Sequence, residues 1–268
     1  MNRRQATAAL VAGAFTARAA DQPFSFTSLD HIEFFASNVE KSIAFYGNVF
    51  GNTVLKNNKT TRRYLRLGSS YIAIENAGSA GLRVDHFCAG IKGFQITGVH
   101  SYLKDHGIEY KDYPSGRDLA VTDPDGSKLQ LAADNGWNLL LGGTASAETV
   151  AIEAEPIFKP LAIDHLLLNV SDQEKSAAFF EKVLGPVTQR NNNRDWFQVG
   201  TSRIGLLKTP AGQREGVNHY CVLCEKFDYA AAVKRLASVG AKVETPEIAG
   251  APEFRDPDGY LVQVMAKS

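Results

Sequence analysis

Two histidines sit in short apolar runs, Leu29-Asp30-His31-Ile32 and Val84-Asp85-His86-Phe87, 55 residues apart. The same separation links Glu75, in Ile72-Ala73-Ile74-Glu75, to Gln130, in Lys128-Leu129-Gln130-Leu131. Two imidazoles, a carboxylate and a carboxamide suit a borderline divalent ion such as iron, zinc, manganese or nickel. Fewer than six protein ligands leave positions open for water or substrate, as catalysis at a metal requires. The pattern recurs further on: His165 and His219 are 54 residues apart, Gln263 matches Gln130, and Leu207 stands at the place of Glu75. That second set, His165, His219 and Gln263, offers three neutral donors and no general base. One such histidine alone would be read as a structural residue near a strand start. Four of the chain's six histidines at repeat-equivalent positions point to a metal site in at least one half. His100 and His106 have no such partners and are expected at the surface.

The elements that must carry these residues are written as a repeat within a repeat. Ser42-Ile43-Ala44-Phe45-Tyr46 returns as Ser176-Ala177-Ala178-Phe179-Phe180, and Asp123-Pro124-Asp125-Gly126 returns as Asp256-Pro257-Asp258-Gly259, at offsets of 133 to 134 residues. Each half divides again into modules of about fifty residues: a strand, an amphipathic helix, then further strands. In the first module the strand covers 30–35 and the helix about 39–50, with Asn38 or Ser37 as its cap and Gly51 as its end. Strands alternate faces, so His31 and Glu33 share one side, as do His86 and Cys88. If the modules pack about a pseudo-twofold axis, the four donors of one half converge inside one curved sheet.

Composition narrows the partners. Lysine plus arginine and aspartate plus glutamate each number 29 in 268 residues, so no basic field exists to hold nucleic acid or an anionic membrane, and a small-molecule substrate is the expected partner. Residues 1–20 carry Arg3 and Arg4, an acid-free run of small and apolar residues, and Ala-Arg-Ala-Ala at 17–20, which reads as a twin-arginine-like export signal to the periplasm or beyond. Cys88, Cys221 and Cys224 are too few for a disulfide framework. Cys88 and Cys221 are expected as small apolar fillers of the inner face.

Tandem modules with histidine in each first strand and Asp-Pro-Asp-Gly before the last strand resemble the vicinal oxygen chelate superfamily of glyoxalases, bleomycin-resistance proteins and extradiol dioxygenases. The resemblance implies an α+β chain of two tandem domains, each made of paired βαβββ modules forming a curved, open barrel-like sheet. They would span 27–135 and 161–268, with a linker at 136–160. It also implies ligands on the first and last strands of both modules, here His31, Glu75, His86 and Gln130, although an acid is usual at Gln130. In four-module dioxygenases the corresponding second-half set would be His165, His219 and Gln263, again without the acid. Three activities stay open: isomerase or lyase chemistry with Glu75 as base, extradiol ring cleavage, and small-molecule binding without chemistry.

Overall fold

A computed structural model describes residues 22–152 and 155–268; the expected export signal lies outside the described residues. The first module runs β1 (Phe26–Ala36), α1 (Val39–Phe50), β2 (Thr53–Asn57), β3 (Arg63–Leu67) and β4 (Ser70–Asn76). The second runs β5 (Val84–Ile91), α2 (Ile96–Asp105), β6 (Tyr110–Asp112), β7 (Asp118–Thr122) and β8 (Lys128–Ala133). A short helix α3 (Gly136–Leu141) and strand β9 (Ala145–Thr149) follow. The third module is β10 (Pro160–Val170), α4 (Gln173–Leu184), β11 (Gln189–Asn191), β12 (Arg194–Val199) and β13 (Ser202–Lys208). The fourth is β14 (Gly216–Cys224), α5 (Tyr229–Ser238), β15 (Lys242–Glu244), β16 (Glu253–Arg255) and β17 (Leu261–Ala266). The chain is therefore α+β, with βαβββ modules in tandem.

Helix α1 forms where the sequence signals its ends. Asn38 accepts a hydrogen bond from the Lys41 amide, and Gly51 adopts φ 110°, a conformation that glycine reaches without a Cβ penalty. Val39, Ile43, Tyr46 and Phe50 are buried along one side at helical spacing. Asp172 caps α4 in the same way through the Lys175 amide.

In each half the two first strands lie side by side and antiparallel, β1 on β5 and β10 on β14. Each takes its own module's last strand on the other side in parallel register: β4 on β1, β8 on β5, β13 on β10 and β17 on β14. The sheet order of the first half is thus β2-β3-β4-β1-β5-β8-β7-β6, and β9 adds to β2 at the edge. Alternation along β1 sends Ile32 and Phe34 into the helix-covered core, while His31 and Glu33 face the concave side.

The halves are joined with twofold regularity. Ser70 Oγ donates to the Leu29 carbonyl and accepts from the Ile163 amide, and Ser202 Oγ does the same with Ile163 and Leu29. Gly68 packs on the Leu161 carbonyl so closely that a Cβ would lie 2.0 Å from its oxygen, and Gly200 stands in the same relation to Thr27. The Asp-Pro-Asp-Gly turns explain themselves here. Their first aspartates fold the turn, with Asp123 Oδ1 accepting from the amides of Asp125 and Ser127. Their second aspartates reach across the seam, Asp125 to the Ser171 amide and Asp258 to the Ser37 amide, each at 3.0 Å.

Candidate metal centre

Adjacent first strands bring the histidines of each half face to face. His31 Nε2 and His86 Nε2 are 3.2 Å apart, and His165 Nε2 and His219 Nε2 are 3.3 Å apart. In every case the other ring nitrogen is engaged by the preceding residue. His31 Nδ1 donates to Asp30 at 2.7 Å, His86 Nδ1 to Asp85 at 3.0 Å, His165 Nδ1 to Asp164 at 2.6 Å and His219 Nδ1 to Asn218 at 2.9 Å. With Nδ1 carrying the hydrogen, the neutral imidazoles present bare Nε2 lone pairs to one another, an arrangement that repels unless a cation lies between them. Burial acts in the same direction at His219, whose pKa is pushed down to about 3 by desolvation first and then by His165 and Arg194.

Spacing tests the fit of an ion. Two nitrogens each about 2.0–2.1 Å from one zinc-like ion lie roughly 2.9 Å apart at a right angle and roughly 3.3 Å apart at a tetrahedral angle. Both histidine pairs fall in that interval. The glutamines supply a further sign: Gln130 and Gln263 are buried, and the Oε1 of each has no hydrogen-bond partner. An unpaired buried carbonyl oxygen costs on the order of 1–3 kcal/mol unless something binds it. In both halves, therefore, two imidazoles and one carboxamide oxygen fit a divalent cation.

Glu75 is not brought to this set. Strand β4 pairs with β1 in parallel register, His31 opposite Tyr71 and Phe35 opposite Glu75, which puts the Glu75 backbone roughly 13 Å along the strand from the His31 level. There its carboxylate accepts from Thr60 and Thr61 and pairs with Arg62, bracing the loop between β2 and β3. Cys88 pairs with Gln130 and, in the matching place, Glu33 pairs with Ala73. The true counterpart of Gln130 is thus Ala73, because the segment between first and last strand is two residues longer in the second module than in the first. In the second half the same position is Gly205, opposite Leu167.

The carboxylate of the first cup comes from β1 instead. Glu33 is 3% exposed; an oxygen of its carboxylate is 2.7 Å from the Arg62 guanidinium, and the other, Oε2, is 3.9 Å from His86 Nε2. Burial raises its pKa above the usual carboxylate value, against the opposing pull of His86 and Arg62. Around it opens a cavity of about 630 Å³ lined by His31, Glu33, Arg62, His86 and Gln130 on the polar side, with Tyr64, Tyr71, Phe94, Tyr113 and Leu140 among its apolar walls. Tyr71 stacks on the His31 ring at 4.5 Å and holds its plane.

The second cup is filled. Leu167 takes the place of Glu33, and a Cβ on Gly205 would lie 2.7 Å from the Trp196 ring, so that indole occupies the space. Trp196 also meets the His165 ring edge-on at 5.3 Å. Gln263 is oriented by a hydrogen bond from its Nε2 to Glu253, and Arg194, in the place of Arg62, turns to Glu247. His100 and His106 stay outside both cups, His100 on Asp112 and His106 on the Tyr102 carbonyl. Cys88 and Cys221 are buried opposite His31 and His165, as free thiols.

Comparison with known proteins places this architecture. The family model of the Glyoxalase/Bleomycin resistance protein/Dioxygenase superfamily matches residues 162–264, and the first half repeats the same modules strand for strand. The second half of this chain is thus similar to the vicinal oxygen chelate superfamily, and the first half shares its module order. A catechol-2,3-dioxygenase of Bacillus subtilis (strain 168) is 26% identical over 185 residues, 59% of this chain and 65% of that protein. The chain thus spans just under two thirds of that relative's length. Among solved structures, a catechol 2,3-dioxygenase superposes with a TM-score of 0.68 at 14% identity, covering 91% of this chain and 89% of that one. A Mn(II)-bound glyoxalase from Novosphingobium aromaticivorans gives 0.66 at 16%, covering 91% and 83%. At such identities the likeness of the solved structures is one of fold.

Proposed function

We propose that the first-half cup of this protein is the active site of a divalent-metal-dependent enzyme of the vicinal oxygen chelate superfamily, an isomerase or lyase that moves a proton on a small substrate bearing two adjacent oxygens. The observation that carries this reading is Glu33, a buried carboxylate with one oxygen fixed by Arg62 and the other turned toward the histidine pair. An iron, zinc, manganese or nickel ion held by His31, His86 and Gln130 would act as a Lewis acid on a substrate oxygen and stabilise the charge that develops there. Asp30 and Asp85 keep both imidazoles in the donor tautomer, and Gln130 offers its free Oε1. Glu33 Oε2 takes the proton from the carbon next to the polarised oxygen and returns it, its raised pKa bringing it closer to the operating pH. Tyr64, Tyr71, Phe94 and Tyr113 keep the walls dry.

A second reading, ring cleavage of a catechol-like substrate with iron, is favoured by the catechol-2,3-dioxygenase relative and by the aromatic walls. Both are tested by incubating the chain, loaded in turn with Zn(II), Mn(II), Ni(II) and Fe(II), with a hydroxyketone such as dihydroxyacetone in D2O and with catechol in an oxygen electrode. Metal-dependent deuterium incorporation that disappears in Glu33→Gln is the expected result. Dioxygen uptake with catechol and no exchange would replace it with ring cleavage. Neither activity with any ion would leave a binding protein.

A further inference from the structure

Asp30 is shared. Its Oδ1 accepts from His31 Nδ1, and its Oδ2 accepts at 2.9 Å from the amide of Gly136, the first residue of α3. The approach is close: a Cβ on Gly136 would lie 2.4 Å from Asp30 Oδ1. A second path runs beside the first, because Trp137 of the same helix packs on Tyr71 at 5.9 Å and Tyr71 stacks on the His31 ring. Trp137, Tyr64 and Tyr71 form a small apolar cluster of their own, separate from the main core, and Leu139 and Leu140 of α3 line the cavity. The other half lacks this wiring: Asp164, which orients His165, is held by Arg203 of β13, a residue of the sheet itself. Asp164 is thus fixed by a residue of the sheet, while its counterpart Asp30 is fixed by a helix that belongs to neither repeat.

We infer that Gly136 is a positioning residue for His31, acting through Asp30, and that docking of α3 over the first cup and binding of an ion in that cup are linked. The inference rests on the first cup being the metal site. Linkage is reciprocal: if a docked α3 sets His31 for the ion, the bound ion holds α3 down. Removing a partner that orients a metal-bound histidine lowers affinity by about 10–100-fold.

The test uses the full chain in a Trp196→Phe background, which leaves Trp137 as its only tryptophan. Zn(II) is titrated into the metal-free protein, with affinity read by calorimetry and α3 docking read by acrylamide quenching of Trp137. Zn(II) is expected to shield Trp137 from quencher; Gly136→Ala should weaken Zn(II) by about 10–100-fold and abolish the shielding. Asp30→Asn, which adds no volume but leaves one of the two donors facing an amide NH2, should weaken the ion over the same range. Unchanged affinity in Gly136→Ala, with Trp137 exposed to quencher, would overturn the linkage while leaving the metal site standing. A starting protein that binds no Zn(II), or loses none of it in His86→Ala, would overturn the site and the linkage together.

Discussion

Replacing Glu33 by Gln removes one negative charge and almost no volume. In the first cup Arg62 keeps a hydrogen-bond acceptor in the carboxamide oxygen, and Arg62 is itself one-third exposed, so the fold should tolerate the change. The histidine pair and Gln130 are untouched, and ion stoichiometry should stay as in the parent. What disappears is the proton acceptor 3.9 Å from His86 Nε2. General acid–base groups contribute about 10²–10⁴ in rate, which at about 1.4 kcal/mol per tenfold is about 3–5 kcal/mol of barrier. The assay is solvent-deuteron incorporation into the hydroxyketone under saturating metal, with metal content measured on the same samples. Loss of at least a hundredfold in exchange with full metal content is the expected outcome. Loss of the ion together with the activity would make Glu33 a ligand and refute its role as base; unchanged exchange would remove it from the chemistry altogether.

Two further changes separate the cups and test their electrostatics. Trp196→Ala deletes the ring that fills the second cup and should cost about 3–5 kcal/mol by urea denaturation while leaving first-cup metal affinity unchanged; a cost below about 1 kcal/mol would show that the ring is not packed there. The His86 ring and Lys128 hold the Asp85 carboxyl well below its usual 3.8, so its stabilising contribution is complete above that value and is lost as pH falls through the lower folded-state value. Metal-free parent and Asp85→Asn should therefore differ in urea midpoint at about pH 6 and converge in strong acid, and a gap that widens on acidification would contradict the sign.

The fold was legible because its signals are redundant: Asn38 and Gly51 bound a helix whose apolar spacing agrees with them, and each module repeats the next. The histidines were legible for the same reason, since four first strands carry them at matching positions. Glu75 was misplaced because equal spacing in sequence is not equal register in a sheet; two extra residues in the second module shift β8 relative to β4, and only strand pairing reveals that Ala73 faces the cup. Glu33 lay on the right face in the sequence but looked like one more strand residue, since its burial and its bond to Arg62 depend on a distant hairpin. The sequence carries one more signal: each histidine follows an Asp or Asn, in Asp30-His31, Asp85-His86, Asp164-His165 and Asn218-His219, and these neighbours fix the tautomers. The role of α3 could not be read, because Gly136 and Asp30 are distant in sequence and belong to no shared pattern.

Anomalous diffraction from crystals of metal-loaded protein, collected above and below the absorption edge of the ion, tests the central claim most directly. A peak is expected between His31 Nε2 and His86 Nε2 with Gln130 Oε1 turned to it, beneath the open cavity. Full occupancy between His165 and His219 with nothing in the first cup would contradict it.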